Sequence, residues 1–434
     1  MNSDNEVREI RVDYLARVEG EGAMYLKLDG DEIIDLEFSI FEPPRFYEAF
    51  LRGRRHAEAP DITSRICGIC PIAYQMSSIN AMEFAAGTHV HPQIRALRRM
   101  LYAGEWIESH ALHVYMLHAP DFLGYESAIE MAPDLPDVVT SALRLKKLGN
   151  SVMTLLGGRE IHPINMRVGG FYRTPTRNEL DSLIAELEWA LATSEATVRL
   201  VSGFDFPDFE MPYEFVALRH PDEYAITDGR IVSTEGLDIE VAEWPDHFEE
   251  THVERSNALH CRLRERGTYH VGPMARFTLN HDRLTPMARA IADEVGLDRG
   301  ERNPFKSIIV RSVELVLACE EILRLIGEYE RPPEPWIPVE PRSAVGHGAS
   351  EAPRGTLYHR YEIDDEGLIA DARIVPPTSQ NQRSIEEDLR QFVTPRTQMQ
   401  DDKLKWQLEQ AIRNYDPCIS CATHFLDLTI DRVT

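Results

Sequence analysis

Apolar and polar positions alternate through residues 8–40, with Ile10, Val12, Leu26, Leu28, Ile34 and Leu36 marking the apolar beats and DGDE interrupting them. That period of two predicts short antiparallel strands joined by a turn. From residue 92 the period lengthens. In QIRALRRMLYAGEWIESHALHVYMLH the apolar residues Ile94, Leu97, Leu101, Ile107, Ala111 and Val114 keep helical spacing. A second helix is predicted over 138–158, with glycine at its end. A third, over 176–203, opens with Thr176 and Glu179 at capping-box spacing, and a fourth, over 305–329, is stopped by RPPEPWIP.

Helices this long bury their apolar stripes against one another, so 92–203 and 305–329 predict a bundle. Residues 204–275 predict a small mixed insertion. Loops and short strands are expected over 342–382, then a helix near 384–413. The fold class expected is α+β, predominantly helical: one domain over 1–434, with an N-terminal antiparallel sheet, a central bundle and a C-terminal region of loops and strands.

A formal charge of −26 disfavours nucleic acid and anionic membrane as partners. The start, MNSDNEVREI, lacks the apolar core of a signal peptide, and no segment has roughly 18 consecutive apolar residues. The expectation is a cytoplasmic chain not inserted in a membrane. GEGAMY (20–25) and GHGASE (346–351) begin as GxG but lack a third glycine, and no GxxxxGK[ST] occurs, so no nucleotide is expected on this subunit.

Six cysteines in a chain of this length do not make a disulfide framework. Cys319 falls on an apolar helical stripe and is expected to be core; Cys261 has no assignment. The other four form two CxxC pairs near opposite ends of the chain: Cys67 and Cys70 in RICGIC, Cys418 and Cys421 in DPCISCATH. A structural Cys₄ zinc site, another thiolate-bound metal and a redox dithiol all accommodate such pairs. Gly68 and Pro417 favour tight turns that aim both sulfurs of a pair at one centre.

The combination RxCGxC and DPCxxCxxH resembles the large, catalytic subunit of nickel–iron hydrogenases. The resemblance extends in order over nearly the whole chain, through ARVEGEGAMYL (16–26), FEPPRFYEAFLRGR (41–54), SHALHVYMLHAPDF (109–122), GGREIHPINMRVGG (157–170), GASEAPRG (348–355) and VPPTSQN (375–381). FEPPRF, IESHALH and PPTSQN look most like the cytoplasmic, bidirectional, NAD(P)-linked group, which is sulfhydrogenase alpha-subunit-like.

The resemblance implies reversible heterolytic cleavage of hydrogen at a nickel–iron centre carrying one carbon monoxide and two cyanides. It makes Cys67 and Cys418 terminal ligands of nickel, with Cys70 and Cys421 bridging to iron. Glu19 would relay protons beside Cys418; Arg354, with Pro353 beside it, and Thr378 would support the cyanides. Glu48, the Ile374 carbonyl and His424 match a separate magnesium or iron site, and His162 matches the electron-exit side. The partners implied are an iron–sulfur small subunit, further iron–sulfur and flavin/NAD(P)-binding subunits, a maturation protease and nickel-insertion proteins. A deazaflavin-linked or other cytoplasmic hydrogenase shares most of these motifs, and a non-catalytic respiratory-complex relative or a zinc scaffold are the further alternatives. Two positions depart from the family pattern: Ser109 stands where other members have an acidic partner for the arginine, and Tyr74 where many have histidine.

Overall fold

The computed structural model describes residues 7–423. The alternating N-terminal segment forms a three-stranded antiparallel sheet, β1 (Val7–Val12), β2 (Gly22–Asp29) and β3 (Glu32–Ile40), with Gly30 and Asp31 in the turn. One face of the sheet is apolar because its strands place Ile10, Val12, Leu26, Leu28, Leu36 and Phe38 on the same side.

Four long helices follow among shorter ones: α1 (Pro71–Ala86), α2 (Pro92–Ala111), α3 (Pro136–Gly157) and α4 (Ile184–Ser202). After α2 the backbone widens into a π-helical stretch, Leu112–His118, that turns His113 and His118 into the interior. The insertion contributes short strands and a hairpin, β4 (Phe248–Val253) and β5 (Ser256–Leu263). Helix α5 (Ser307–Gly327) then packs against α4 and α2, and α2 against α3, which is the expected bundle.

The C-terminal region corrects the sequence reading. Residues 342–382 are not loops and short strands but a full antiparallel meander, β6 (Ala344–Ala352), β7 (Gly355–Ile363) and β8 (Ile369–Val375). The helix expected near 384 begins at Pro377, because Pro376 and Pro377 suit the cap and first turn. It is also two helices, α6 (Pro377–Val393) and α7 (Asp401–Arg413).

Helix α1 left no amphipathic signal because it is buried on nearly every side. Strand β6 lies directly on it. A Cβ at Gly346 would stand 2.2 Å from the Ala81 carbonyl oxygen, and one at Gly348 would stand 2.2 Å from that of Ser77. GHGASE therefore carries its glycines for this strand-on-helix contact.

Two apolar cores meet at the cysteines. The bundle core includes Cys67, Cys70, Cys418 and Cys421, whereas Ile419 and Ala422 belong to the core joining β1–β3 with α6 and α7. Cys319 is fully buried as expected, and Cys261 is buried in a third cluster with the insertion. No described helix is long and apolar enough to cross a membrane.

Candidate metal centre

Cys70 is the cap residue of α1, and the Cys67–Cys70 turn lies just ahead of that helix. The N–H groups of Ile69 and Cys70 both point at Cys67 Sγ, at 3.3 and 3.2 Å. The next two orphan N–H groups, of Ile72 and Ala73, donate to the buried Glu105 carboxylate of α2, at 2.6 and 3.2 Å. Gly68, by contrast, has no left-handed φ and nothing near its missing Cβ, so it is not what closes this turn.

The second pair is positioned by backbone pairing. Glu19 N–H donates to the Pro417 carbonyl and Ile419 N–H to the Glu19 carbonyl, at 3.3 and 2.9 Å. This contact needs Gly20: with φ at +90°, its absent Cβ would lie 2.7 Å from Ile419 Cβ. Asp416 precedes the pair in the left-handed region, φ 51°, an unusual conformation for aspartate.

The four sulfurs converge within 4.8 Å of one another, Cys67 3.5 Å from Cys418 and Cys70 3.7 Å from Cys421. All four residues are buried. Burial works against a charge on any of them and raises Cys418, while hydrogen bonds from the other thiols and the Arg354 charge hold Cys67 low. Four thiolates crowded in a dry site require cations to be charged together.

Glu19 Oε2 lies 3.2 Å from Cys418 Sγ and accepts the Ser420 N–H at 3.0 Å. Burial, and then the negative charge at Cys67, push its carboxyl above the usual range. On the other side Arg354 donates Nε to the Asp416 carbonyl at 2.7 Å and Nη2 to its carboxylate at 3.1 Å. Asp416 thus supplies the carboxylate that Ser109 does not. Arg354 Nη1 is buried with no partner. Thr378 Oγ1 accepts the Cys418 N–H at 2.9 Å, which leaves its own hydroxyl proton to donate elsewhere.

Arg354 and Thr378 line a narrow cavity, about 10 Å³, with Cys70, Cys418, Cys421 and the apolar wall of Ala352, Leu357 and Pro377. Tyr74 closes it, its hydroxyl 3.5 Å from the Cys421 carbonyl. The donor set fits soft transition metals. An unpartnered guanidinium nitrogen and a hydroxyl face the sulfurs there, donors that suit the polar ends of small metal-bound groups. Pro353 sits behind, its carbonyl taking Arg276 Nη2 at 2.9 Å.

The outer residues fall elsewhere. Glu48 Oε1 accepts the Ile374 N–H at 2.7 Å. Burial, with Glu250 adding negative charge, pushes the Glu48 carboxyl up to about 8. Glu250 itself is paired with Arg373 Nε at 2.6 Å. His424 lies outside the described residues. His162, with φ at 50°, has Nδ1 2.8 Å from the Ser64 carbonyl, beside the first cysteine loop.

Sequence reasoning missed Asp416, Glu105 and Arg45, whose Nη2 reaches the Ile66 and Ser420 carbonyls and so ties the two cysteine loops together. Asp416 and Arg45 stood inside quoted motifs. Glu105 had one signal: a carboxylate on the buried side of an apolar helix.

The sequence profile of nickel-dependent hydrogenases matches residues 45–143 and 268–424. Sulfhydrogenase 1 subunit alpha of Pyrococcus furiosus is 34% identical over 424 residues, covering 96% of this chain and 98% of that protein. Sulfhydrogenase 2 subunit alpha of the same organism is 33% identical over 426 residues, covering 96% and 100%. The solved structure of an NAD⁺-reducing [NiFe]-hydrogenase in the H₂-reduced state superposes with a TM-score of 0.86 and 26% identity, covering 96% of this chain and 99% of that one.

Proposed function

Because the chain belongs to the nickel-dependent hydrogenase family, as a nickel–iron catalytic subunit, we propose that it acts in a cytoplasmic complex that exchanges electrons between hydrogen and NAD(P). The observation that carries this reading is the convergence of four buried thiols with a raised carboxyl at 3.2 Å from one of them.

In this reading Cys67, Cys70, Cys418 and Cys421 would hold nickel, Cys70 and Cys421 would also hold iron, and Arg354 and Thr378 would supply hydrogen-bond donors to the one carbon monoxide and two cyanides on that iron. When bound, the bimetallic group supplies the electrophilic position at which hydrogen is polarised and its two electrons are taken up.

The protein supplies the base. Cys418 Sγ receives a proton, and Glu19 Oε2 takes it on; a carboxyl raised by burial is a better proton acceptor than an ordinary carboxylate. Arg354, pinned by Asp416, keeps a fixed positive charge over the site. The bundle core and Tyr74 exclude water. Glu48, the Ile374 carbonyl and His424 would hold magnesium or iron.

Electrons leave by the His162 side. Exposed Ile161, Ile164 and Tyr172 beside it form an apolar surface that suits an iron–sulfur small subunit. Flavin- and NAD(P)-binding subunits lie beyond, consistent with an NAD⁺-reducing enzyme among its structural neighbours. Nickel-insertion proteins and a maturation protease complete the set of partners.

The test is hydrogen-dependent reduction of NAD⁺ and NADP⁺ by the purified complex. Reduction of either supports the reading. Dye-linked hydrogen uptake without reduction of either nucleotide moves the acceptor to a deazaflavin or another carrier.

A further inference from the structure

Helix α6 begins at the metal site with Thr378, but further along it faces a second, separate cavity. This space, about 240 Å³, lies between α6 and the β4–β5 hairpin. The hairpin contributes Thr251, His260 and, from its turn, Arg255; the helix contributes Arg383, Glu386, Glu387 and Arg390.

Carboxylates also line or flank this space. Glu386 takes Arg255 Nε and Nη2 at 2.9 and 2.6 Å. Glu387 accepts the Thr268 hydroxyl. Asp35 and Glu37 of the first sheet also act on Arg255. Three hydrogen-bond donors are left over. Arg383 and Arg390, spaced for one face of α6, make no ion pair or side-chain hydrogen bond among the described residues. His260 is 3% exposed, and its Nε2 is buried without a partner.

The buried ring nitrogen is the uncommon feature, since buried polar groups are normally satisfied; the two arginines beside it are half-buried (Arg383) and exposed (Arg390). They stand without an ion pair in a chain of net charge −26. We infer that this cavity is an oxyanion site, built for a phosphate group. The donors approach from the hairpin and from two levels of α6, so the ligand needs at least three acceptor oxygens. A halide offers no such set and a carboxylate only two, whereas a tetrahedral phosphate matches guanidinium geometry. Burial holds His260 down to about 4, so its ring is neutral at neutral pH, with Gln382 as a side-chain hydrogen-bond partner.

The site has a mechanical consequence. Asn257 of the hairpin donates to the Phe41 and Glu42 carbonyls, and Glu42 in turn accepts the Ser420 hydroxyl in the second cysteine loop. An anion bridging hairpin and helix therefore ties together two elements that each touch the metal loops.

The test is titration calorimetry of the matured complex with inorganic phosphate, at ionic strength held constant with chloride. Sulfate and glycerol 1-phosphate are run as parallel arms. Phosphate should bind a class of sites that Arg383→Gln/Arg390→Gln weakens about tenfold or more, the loss expected from two charged hydrogen bonds. Equal binding of glycerol 1-phosphate assigns the site to the end of a phosphomonoester; binding of phosphate and sulfate alone assigns it to the free ion. Dye-linked hydrogen uptake by the variant at the wild-type rate verifies that it is folded. Absence of phosphate binding, or phosphate binding unchanged in that active variant, overturns the inference.

Discussion

Replacing Glu19 with glutamine removes a proton acceptor while keeping shape. Glu19 makes two contacts that matter: Oε2 accepts the Ser420 N–H at 3.0 Å and faces Cys418 Sγ at 3.2 Å. The glutamine amide oxygen can keep the Ser420 bond, so the cysteine loop stays in place. It cannot take a proton from sulfur. What is lost is general acid–base catalysis, typically worth about 10²- to 10⁴-fold, or about 3–5 kcal/mol of barrier. Hydrogen uptake and hydrogen–deuterium exchange should both fall by that factor, with nickel and iron content at wild-type levels. The pH profile provides a second check. Burial raises the Glu19 carboxyl, so wild-type activity should decline on the acid side at a pH above the ordinary carboxylate range, as the group becomes protonated and can no longer accept. In the variant that limb should disappear. A loss below about fivefold with full metal content would refute the relay.

Three other outcomes follow from the same structure. Cys421→Ser should abolish hydrogen turnover and lower nickel content measured by elemental analysis, while an iron–sulfur partner still co-purifies. Arg276→Met leaves Glu314 and Glu351 buried without their shared cation, which should cost about 3–5 kcal/mol in denaturant unfolding; an unchanged midpoint would rule that account out. Asp388, buried between the Tyr213 and Tyr415 hydroxyls, has its carboxyl raised by burial to about 7. Its proton therefore favours the folded state at low pH, and that contribution is lost as pH rises through about 7. Asp388→Asn should lose less stability than wild type between about pH 5 and pH 8, read from urea midpoints.

Part of the molecule was legible in the sequence because its burial is one-sided: the sheet over β1–β3 alternates and α3 carries a stripe. Helices α2 and α5 are buried almost throughout, and their pattern survives because charged residues such as Arg99 and Glu321 pair with each other inside. Helix α1 carries no such pattern: Ile72, Tyr74, Gln75 and Ser78 are all buried, so no period survives. VPPTSQN fell inside the stretch 342–382 read as loops and short strands, yet its prolines occupy helix-starting positions in which a missing N–H costs nothing.

At the site, the cysteines, Glu19, Arg354 and Thr378 were found through motifs, and the fold brings all of them together. Asp416 and Glu105 act through long-range contacts, one on an arginine far along the chain and the other on N–H groups of another helix. Spacing within a sequence carries no trace of such pairs. Glu48 and Ile374 are joined by a hydrogen bond through the Ile374 N–H, where the motif had pointed to the carbonyl.

The most direct test of the central claim is infrared spectroscopy of the matured complex in the region of metal-bound diatomics, with nickel, iron and zinc counted on the same sample. One carbonyl band and two cyanide bands, with one nickel per chain, are predicted. Absence of those bands, with zinc in place of nickel, would make RICGIC and DPCISC a structural clasp and contradict the account.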